Sequence, residues 1–297
     1  MYLARYTRWA ESELDDEWDT RLSIKLQVVG DPVAHSLSPQ IHADFASQLG
    51  HDVIYGKERV TIEEFDQKAN RFRSEGGLGM NVTVPLKTAA FNYVEVRDEV
   101  ANAAGAVNTI HFEAGRIVGY NTDGWGLVTD LTHRWHVVLE DQVVLLLGAG
   151  GATRGVILPL LQAGVQKIIV ANRTLAKAQQ LCHDLAPFAG DAEVVASALN
   201  KETADLEDEP VGLIVNATSI GLSDDVLELP ISEAQLGEAF CYDMGYGANA
   251  GFLRQIQGRA RVAVDGLGML VEQAAKSYEI WLGTKPKTQG VYEALRA

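Results

Sequence analysis

A lysine closes the segment NVTVPLK, residues 81–87, in which Val82, Val84 and Leu86 alternate with Asn81, Thr83, Pro85 and Lys87. A period of two marks an extended stretch with one buried and one open face. The open face then presents an amide, a hydroxyl and an ammonium together. Pro85 has no N–H to give, which puts the segment at a sheet edge or strand end. A lysine on such a largely apolar edge can pass a proton to or from a substrate oxygen. Asp123, in GYNTDG, stands among small residues where the composition of the chain changes, and a carboxylate at a domain junction can pair with Lys87. Ser36 and Ser38 in HSLSP fall on one side of a strand-to-helix loop, and Asn108 in GAVNT adds an amide. Singly, each has a plainer reading: serines before a helix cap it, GAVNT is a turn, and a strand-end lysine is a solvated charge.

A second constellation points to a dinucleotide. VVLLLGAGGATRG sets glycines directly after an apolar run and at the start of a helix. Gly148 permits the tight turn, Gly150 lets a pyrophosphate approach the backbone, and the helix start offers free N–H groups and its dipole. Thr153 stands at the third position of G-x-G-x-x-G, and no Lys-Ser or Lys-Thr follows, which excludes a P-loop. The next apolar run ends IIVANRTLAK, so Asn172, Arg173 and Thr174 occupy the place, 24 residues after Gly148, where NAD sites carry a carboxylate for the ribose 2′-OH. Arg173 can lie over the adenine and pair with a 2′-phosphate, Thr174 can donate a hydrogen bond, and Lys177 adds charge one turn on. That chemistry selects NADP.

The elements that must hold these groups change character near residue 124. Before it, a strand LQVVG from Leu26 leads to a helix with Ser38 as N-cap, Pro39 at its first position and Gly50 as its stop. A strand DVIYGKERV follows, then a helix from Thr61 to Glu75, the lysine segment, short helices from Lys87 to Val94 and into NAAGAVNTI, and a hairpin through EAGR. After it, unbroken β-branched runs at 142–148, 167–172, 192–197, 211–218, 239–246 and 260–266 alternate with helical stretches. Such runs are strands buried on both faces, hence a parallel sheet. A helix from Leu267 to Leu282 closes the pattern, with Leu267, Leu270, Val271, Ala274, Tyr278 and Trp281 at helical spacing.

Composition bounds the partners. The 297 residues carry a formal net charge of −15, which repels phosphate backbones and anionic lipids, so nucleic acid and membrane surfaces are poor partners and a small molecule is expected. Two cysteines, Cys182 and Cys241, form no CxxC, cannot build a disulfide framework and read as buried thiols of a reducing cytoplasm. No metal site is assigned. No run of about 18 apolar residues spans a membrane. Residues 1–25 lack the apolar core of a signal peptide, leaving a disordered leader, an added helix or an upstream translation start open. Monomer against homodimer stays open as well.

Taken together, GDPVAHSLSP, NVTVPLK, GAVNT, GYNTDG, GAGGA, NRT, NATSIG, YDMGY and DGLGMLVEQAAKSYEIWLG resemble the shikimate dehydrogenase family in order and spacing, over residues 26–297. The resemblance implies NADP-dependent, reversible reduction of 3-dehydroshikimate to shikimate. It also implies an α/β fold: a substrate-binding and catalytic domain of residues 26–123 and 267–297, and a Rossmann-like parallel-sheet NADP domain of residues 124–266. The C-terminal helix returns to the first domain, and cleft closure brings the two ligands together. By position, Ser36 and Ser38 would bind the substrate carboxylate. Thr83, Asn108 and Gln273 would hold the carboxylate side or ring hydroxyls, with Tyr246 nearby. Lys87 would be the acid/base, with Asp123 its partner at the reacting hydroxyl. Gly148, Ala149, Gly150, Gly151 and Ala152 would take the pyrophosphate, and Asn172, Arg173, Thr174 and Lys177 the 2′-phosphate end. Met244 and Gly266 would lie by the nicotinamide, with Glu99 touching it from across the cleft. One departure concerns Tyr246: GANAGFL replaces the family's usual Thr-Pro pair after YDMGY, one residue short. Three other readings compete. A quinate/shikimate dehydrogenase using NAD would tend to carry an acidic residue where Thr174 stands. An idle binding paralogue is at odds with intact Lys87 and Asp123. A methylene-tetrahydrofolate dehydrogenase-like enzyme would not explain HSLSP with NRT.

Overall fold

Apolar runs and the turns that bound them sort the chain into two six-stranded sheets in a computed structural model, which describes residues 23–199, 206, 210–218, 228–247 and 250–297. The first sheet holds β1 (Ile24–Gly30), β2 (Val53–Arg59), β3 (Gly77–Val82), β4 (Val96–Arg97), β5 (Thr109–Glu113) and β6 (Arg116–Tyr120), in the order β2-β1-β3-β5-β6-β4. β1 runs parallel to β2 and β3, and the expected β5–β6 hairpin is antiparallel. Its helices are α1 (Ser38–Leu49), α2 (Phe65–Ser74), α3 (Lys87–Tyr93) and α4 (Glu99–Ala104). A further helix, α5 (Asp123–Thr129), runs into a π-turn over Asp130–Arg134.

The second sheet holds β7 (Val143–Leu147), β8 (Lys167–Asn172), β9 (Glu193–Ala198), β10 (Val211–Asn216), β11 (Phe240–Asp243) and β12 (Val262–Asp265), all parallel, in the order β12-β11-β10-β7-β8-β9. This is the doubly wound order, with the switch point between β7 and β10 where a dinucleotide crosses the strand ends. Every residue of β7 is buried, as a strand covered on both faces requires. The helices are α6 (Gly151–Gln162), α7 (Leu175–Leu185), α8 (Glu233–Glu238), α9 (Gly251–Ile256), α10 (Leu267–Leu282) and α11 (Gln289–Arg296). No helix among the described residues is long and apolar enough to cross a membrane.

Four expectations are corrected. Ser38 is not the cap of α1: Leu37 holds that position, and the Ser38 hydroxyl stays with Ser36 at 3.2 Å. The helix expected from Thr61 is a turn over residues 62–64 and becomes α-helical at Phe65, with the Glu64 carboxylate accepting the Thr61 N–H (3.1 Å) at that start. The alternation of NVTVPLK ends at Val82. Beyond it the chain turns through a cis Val84–Pro85 peptide, leaves Val84 64% exposed, buries Leu86 and makes Lys87 the first residue of α3. Ile24 and Lys25, expected in the leader, belong to β1, whereas residues 1–22 lie outside the described residues, as do Ser219–Gly221 of NATSIG and Ala248 and Asn249 of the variant loop.

The two halves meet on α5 and α10. α10 is buried on more than the expected stripe, because it packs against α1 and α11 through Val271, Ala274, Ala275 and Tyr278 and against α5 on another side. Trp281 donates its indole N–H to the Ile110 carbonyl (2.9 Å), tying α10 to the first sheet. α5 carries two glycines that permit these approaches. A Cβ on Gly124 would lie 2.3 Å from Pro159 Cγ and 2.6 Å from the Gly155 carbonyl of α6. One on Gly126 would lie 2.6 Å from the Met269 carbonyl of α10.

Two outcomes follow from this packing. Gly124→Ala, which forces α5 off α6, should cost about 1–3 kcal/mol of stability and lower the denaturant midpoint; an unchanged midpoint would show that the helices have room. His42, fully buried on α1 and stacked on Tyr55 with ring centroids 4.2 Å apart, is pushed down to a pKa of about 3, chiefly by burial. A base with a depressed folded pKa holds its stability above the ordinary value of 6.5 and loses it as pH falls toward 3. Urea midpoints of wild type and His42→Phe should therefore diverge in favour of the variant as pH falls from neutral to about 4, and parallel curves would contradict a neutral, buried imidazole.

Candidate active site

β3 and β6 end at the same edge of the first sheet, and the residues just past those ends form an ion pair. Lys87, at the start of α3, donates to Asp123 Oδ2 at the start of α5, with side chains 21% and 10% exposed. The carboxylate is fixed from its other side. Asn108 Nδ2 donates to Asp123 Oδ1 (2.8 Å), and the Asp123 N–H donates to Asn121 Oδ1 (3.2 Å). Asn108 is held in turn, since its Oδ1 accepts from the Thr122 N–H (2.9 Å), while Gln273 Oε1 of α10 lies 3.3 Å from its amide. Lys87, Asn108, Asp123 and Gln273, expected together, are brought together.

A polar layer beneath them was not singled out as site residues. Asn81 donates to Ser277 (3.1 Å) and Thr109 (3.1 Å) and accepts from the Tyr55 hydroxyl (2.6 Å). Thr122 and Ser277 close the layer at 3.3 Å. Two signals could have found it: Asn81 opens the lysine segment, and Ser277 follows Gln273 by one helical turn. Buried amides and hydroxyls must find partners, and here they find each other. The layer reaches the serines through Tyr55, whose phenol is pushed well above its usual range by burial with Ser38 beside it. Thr83 fills the space a Cβ on Gly30 would need, which places it against the β1–α1 loop that carries Ser36 and Ser38.

The glycine turn opens α6, the helix on which α5 packs at Gly124. Gly148 has φ +104°, a conformation side chains rarely adopt, and Gly150 precedes α6 with no side-chain cap. Around Gly150 and Gly151 a Cβ would meet nothing within 4 Å, so the helix N-terminus faces open space that a pyrophosphate fits. Thr153 is buried and donates to the Gly148 carbonyl (2.8 Å), bracing the turn. Gly155 faces the start of α5, where a Cβ would sit 3.3 Å from the Asn121 amide and 3.5 Å from Asp123 Oδ2. One turn past its start, α6 thus runs beside the carboxylate that holds Lys87, with a gap there that a methyl group would fill.

Asn172 is engaged by backbone: its Oδ1 accepts from the Ala149 N–H (3.2 Å) and its amide donates to the Thr174 carbonyl (2.9 Å), so it shapes the turn. Arg173, Thr174 and Lys177 are exposed, and among the described residues neither cation has an ion-pair partner. In the sequence Asn172-Arg173-Thr174 that ends β8 no carboxylate stands to oppose a 2′-phosphate, so the residues present fit NADP. Met244 and Gly266 meet: the Gly266 N–H donates to the Gly245 carbonyl (2.9 Å), and a Cβ on Gly266 would lie 2.4 Å from the Met244 carbonyl. Asp243, just before them, has a carboxyl pushed up to about 6 by burial, against the opposing donors Gly245 N–H and Asn216 Nδ2. Tyr246 is half-buried, which raises its phenol pKa, and no described hydrogen bond joins it to the Lys87 cluster.

Glu99 does not stand where it was expected. It is exposed in the first turn of α4 and accepts from Gln162 (3.3 Å), the last residue of α6. At 1.5 Å per residue, that is about 16 Å along the helix from Gly151. The α4–α6 contact forms at the far end of the cofactor helix, away from the glycine turn.

Family models match three stretches: the shikimate dehydrogenase substrate binding domain over residues 28–110, shikimate/quinate 5-dehydrogenase over 130–219, and the shikimate 5'-dehydrogenase C-terminal domain over 266–296. A shikimate dehydrogenase (NADP(+)) of Ruthia magnifica subsp. Calyptogena magnifica is 42% identical over 92% of this chain and 99% of its own. One of Acinetobacter baumannii is 44% identical over 88% and 96%. Among solved structures, an Ael1 enzyme from Pseudomonas putida superposes with a TM-score of 0.83 at 41% identity, covering 92% of this chain and 98% of that one. Shikimate 5-dehydrogenase from Thermus thermophilus, solved with NADP(H) and shikimate, gives 0.78 at 32% identity, covering 92% and 98%. With relatives this similar along nearly their whole length, the chain belongs to the shikimate dehydrogenase family.

Proposed function

We propose that this protein interconverts 3-dehydroshikimate and shikimate with NADP as cofactor, with Lys87 as the group that moves the proton. The observation that carries this reading is that Asp123, the partner of Lys87, lies beside Gly155 of α6, one turn past that helix's open glycine start. A proton donor held beside the helix that opens the dinucleotide site can act on the same substrate carbon and oxygen as the cofactor.

NADPH, when bound, supplies the hydride, and the chain supplies the proton and the orientation. In the reducing direction, the Lys87 ammonium donates a proton to the ketone oxygen as it becomes a hydroxyl; in the oxidising direction the amine takes that proton back. Asp123 directs the ammonium and accepts from the reacting hydroxyl, and Asn108 keeps the carboxylate from rotating away. Ser36 and Ser38 hold the substrate carboxylate through hydroxyls left free of helix capping, with Thr83, Gln273 and Tyr246 around the ring. Gly148–Ala152 take the pyrophosphate on the α6 N-terminus, Arg173, Thr174 and Lys177 take the 2′-phosphate, and Met244 and Gly266 flank the nicotinamide. Residues 26–123 with 267–297 form the substrate unit and 124–266 the NADP unit. Two buried, unpaired thiols, Cys182 and Cys241, suit a cytoplasmic enzyme.

Steady-state kinetics with two substrates and two cofactors test the reading. Shikimate with NADP should be the preferred pair, with NAD and quinate much slower. A kcat/KM that favours NAD would overturn the cofactor assignment, and one that favours quinate the substrate. Lys87→Ala should lower kcat by about 10² or more, and wild-type turnover in that variant would remove Lys87 from the mechanism.

A further inference from the structure

The last turn of the chain reaches the nicotinamide side of the site. Asp265 ends β12 with a side chain only 8% exposed. One of its oxygens accepts from the Gly247 N–H (3.2 Å), in the loop that begins at Met244, and the other accepts from the Leu267 N–H (3.2 Å), the first residue of α10. With the Gly266 N–H on the Gly245 carbonyl, this carboxylate staples together the two segments that contain Met244 and Gly266. Its countercharge comes from α11. The Arg296 guanidinium engages both oxygens, Nη2 on Oδ1 and Nη1 on Oδ2 (3.0 Å).

Arg296 is itself held in place. Its Nε donates to the Tyr292 hydroxyl (3.1 Å), and the Tyr292 ring is covered by the Arg134 guanidinium at 3.7 Å. Arg134 pairs with buried Asp130 (2.7 Å), which accepts from the Tyr242 hydroxyl of β11 (2.8 Å). The bidentate fork therefore has a fixed origin, and it meets a carboxylate that water scarcely reaches. The guanidinium itself is 40% exposed, so its hold on the carboxylate comes from the bidentate geometry and from the shielding on the Asp265 side.

We propose that Arg296 is a positioning residue for the nicotinamide half of the cofactor: by holding Asp265 it sets the loop Met244–Gly247 against the first turn of α10. The inference rests on the proposed NADP function and on Met244 and Gly266 flanking the nicotinamide. Without the guanidinium, the Asp265 carboxylate turns toward water and releases the Gly247 and Leu267 N–H groups. The adenosine end, held by Arg173 and Lys177 on the other side of the sheet's switch point, is untouched.

Calorimetric binding of two ligands to the full chain separates these halves. One is NADP; the other is adenosine 2′,5′-bisphosphate, which has the 2′-phosphate end and no nicotinamide. Arg296→Ala should weaken NADP binding by about tenfold and leave the bisphosphate within about twofold of wild type. Arg296→Lys should recover part of the loss, because it restores charge without the fork. In turnover, the KM for NADP should rise with that for shikimate little changed. Equal weakening of both ligands, or no change for NADP, would overturn the proposal. Tyr292→Phe, which removes only the hydroxyl that steadies Arg296, should shift NADP binding in the same direction by less, and provides the test if Arg296→Ala does not fold. Wild-type protein that binds NADP without oxidising shikimate would instead refute the proposed function, and the binding comparison would still decide the role of Arg296.

Discussion

Three helices meet where α5 has no side chains to keep the others away. Gly124 admits α6 and Gly126 admits α10, and the residue that precedes both is Asp123. Because α6 begins at the glycine turn and α10 carries Gln273, this one contact decides where the carboxylate stands relative to both ligand regions. Side chains at those two positions would push the helices apart and move the carboxylate away from one of them. The remaining architecture, two six-stranded sheets with their helices, serves to bring these helices to the same point.

A close-packed junction of this kind encloses polar groups, and enclosed polar groups are costly unless paired. Asn81, Asn108, Thr109, Thr122 and Ser277 answer that cost by bonding one another across β3, β5 and α10. The consequence for chemistry is rigidity. Asp123 cannot rotate without breaking the Asn108 bond, and Asn108 cannot move without releasing the Thr122 backbone. A lysine paired to such a carboxylate is aimed by the whole layer, which is how a scaffold turns a common surface ion pair into an oriented proton donor. The acidic composition adds a contrast: with a formal net charge of −15, the exposed Arg173 and Lys177 are a local positive exception at the end of β8.

Much of this is written in residue order. The parallel sheet is legible because buried runs such as VVLLL cannot be half-exposed strands, and the glycine turn because only glycine tolerates the backbone at Gly148. The absence of a carboxylate after β8 marks the cofactor. Lys87, Asp123, Asn108 and Gln273 could be picked out by type and by their resemblance to one family's motifs. Other features depend on contacts between distant segments. That Thr153 braces the turn while Gly155 faces the start of α5 follows from the packing of α6 on α5, and local spacing does not encode it. Glu99 illustrates the converse, since its position in the sequence suggested the cofactor, but α4 packs on the far end of α6. The hidden layer through Asn81 and Ser277 joins residues 196 positions apart, and the Asp265–Arg296 clamp joins β12 to a helix with no motif of its own. Local sequence thus determined the elements and the chemical types at their ends, because periodicity and backbone conformation act over a few residues. Only the tertiary structure decided which ends meet, because burial and polar pairing are settled between segments that the chain order keeps apart.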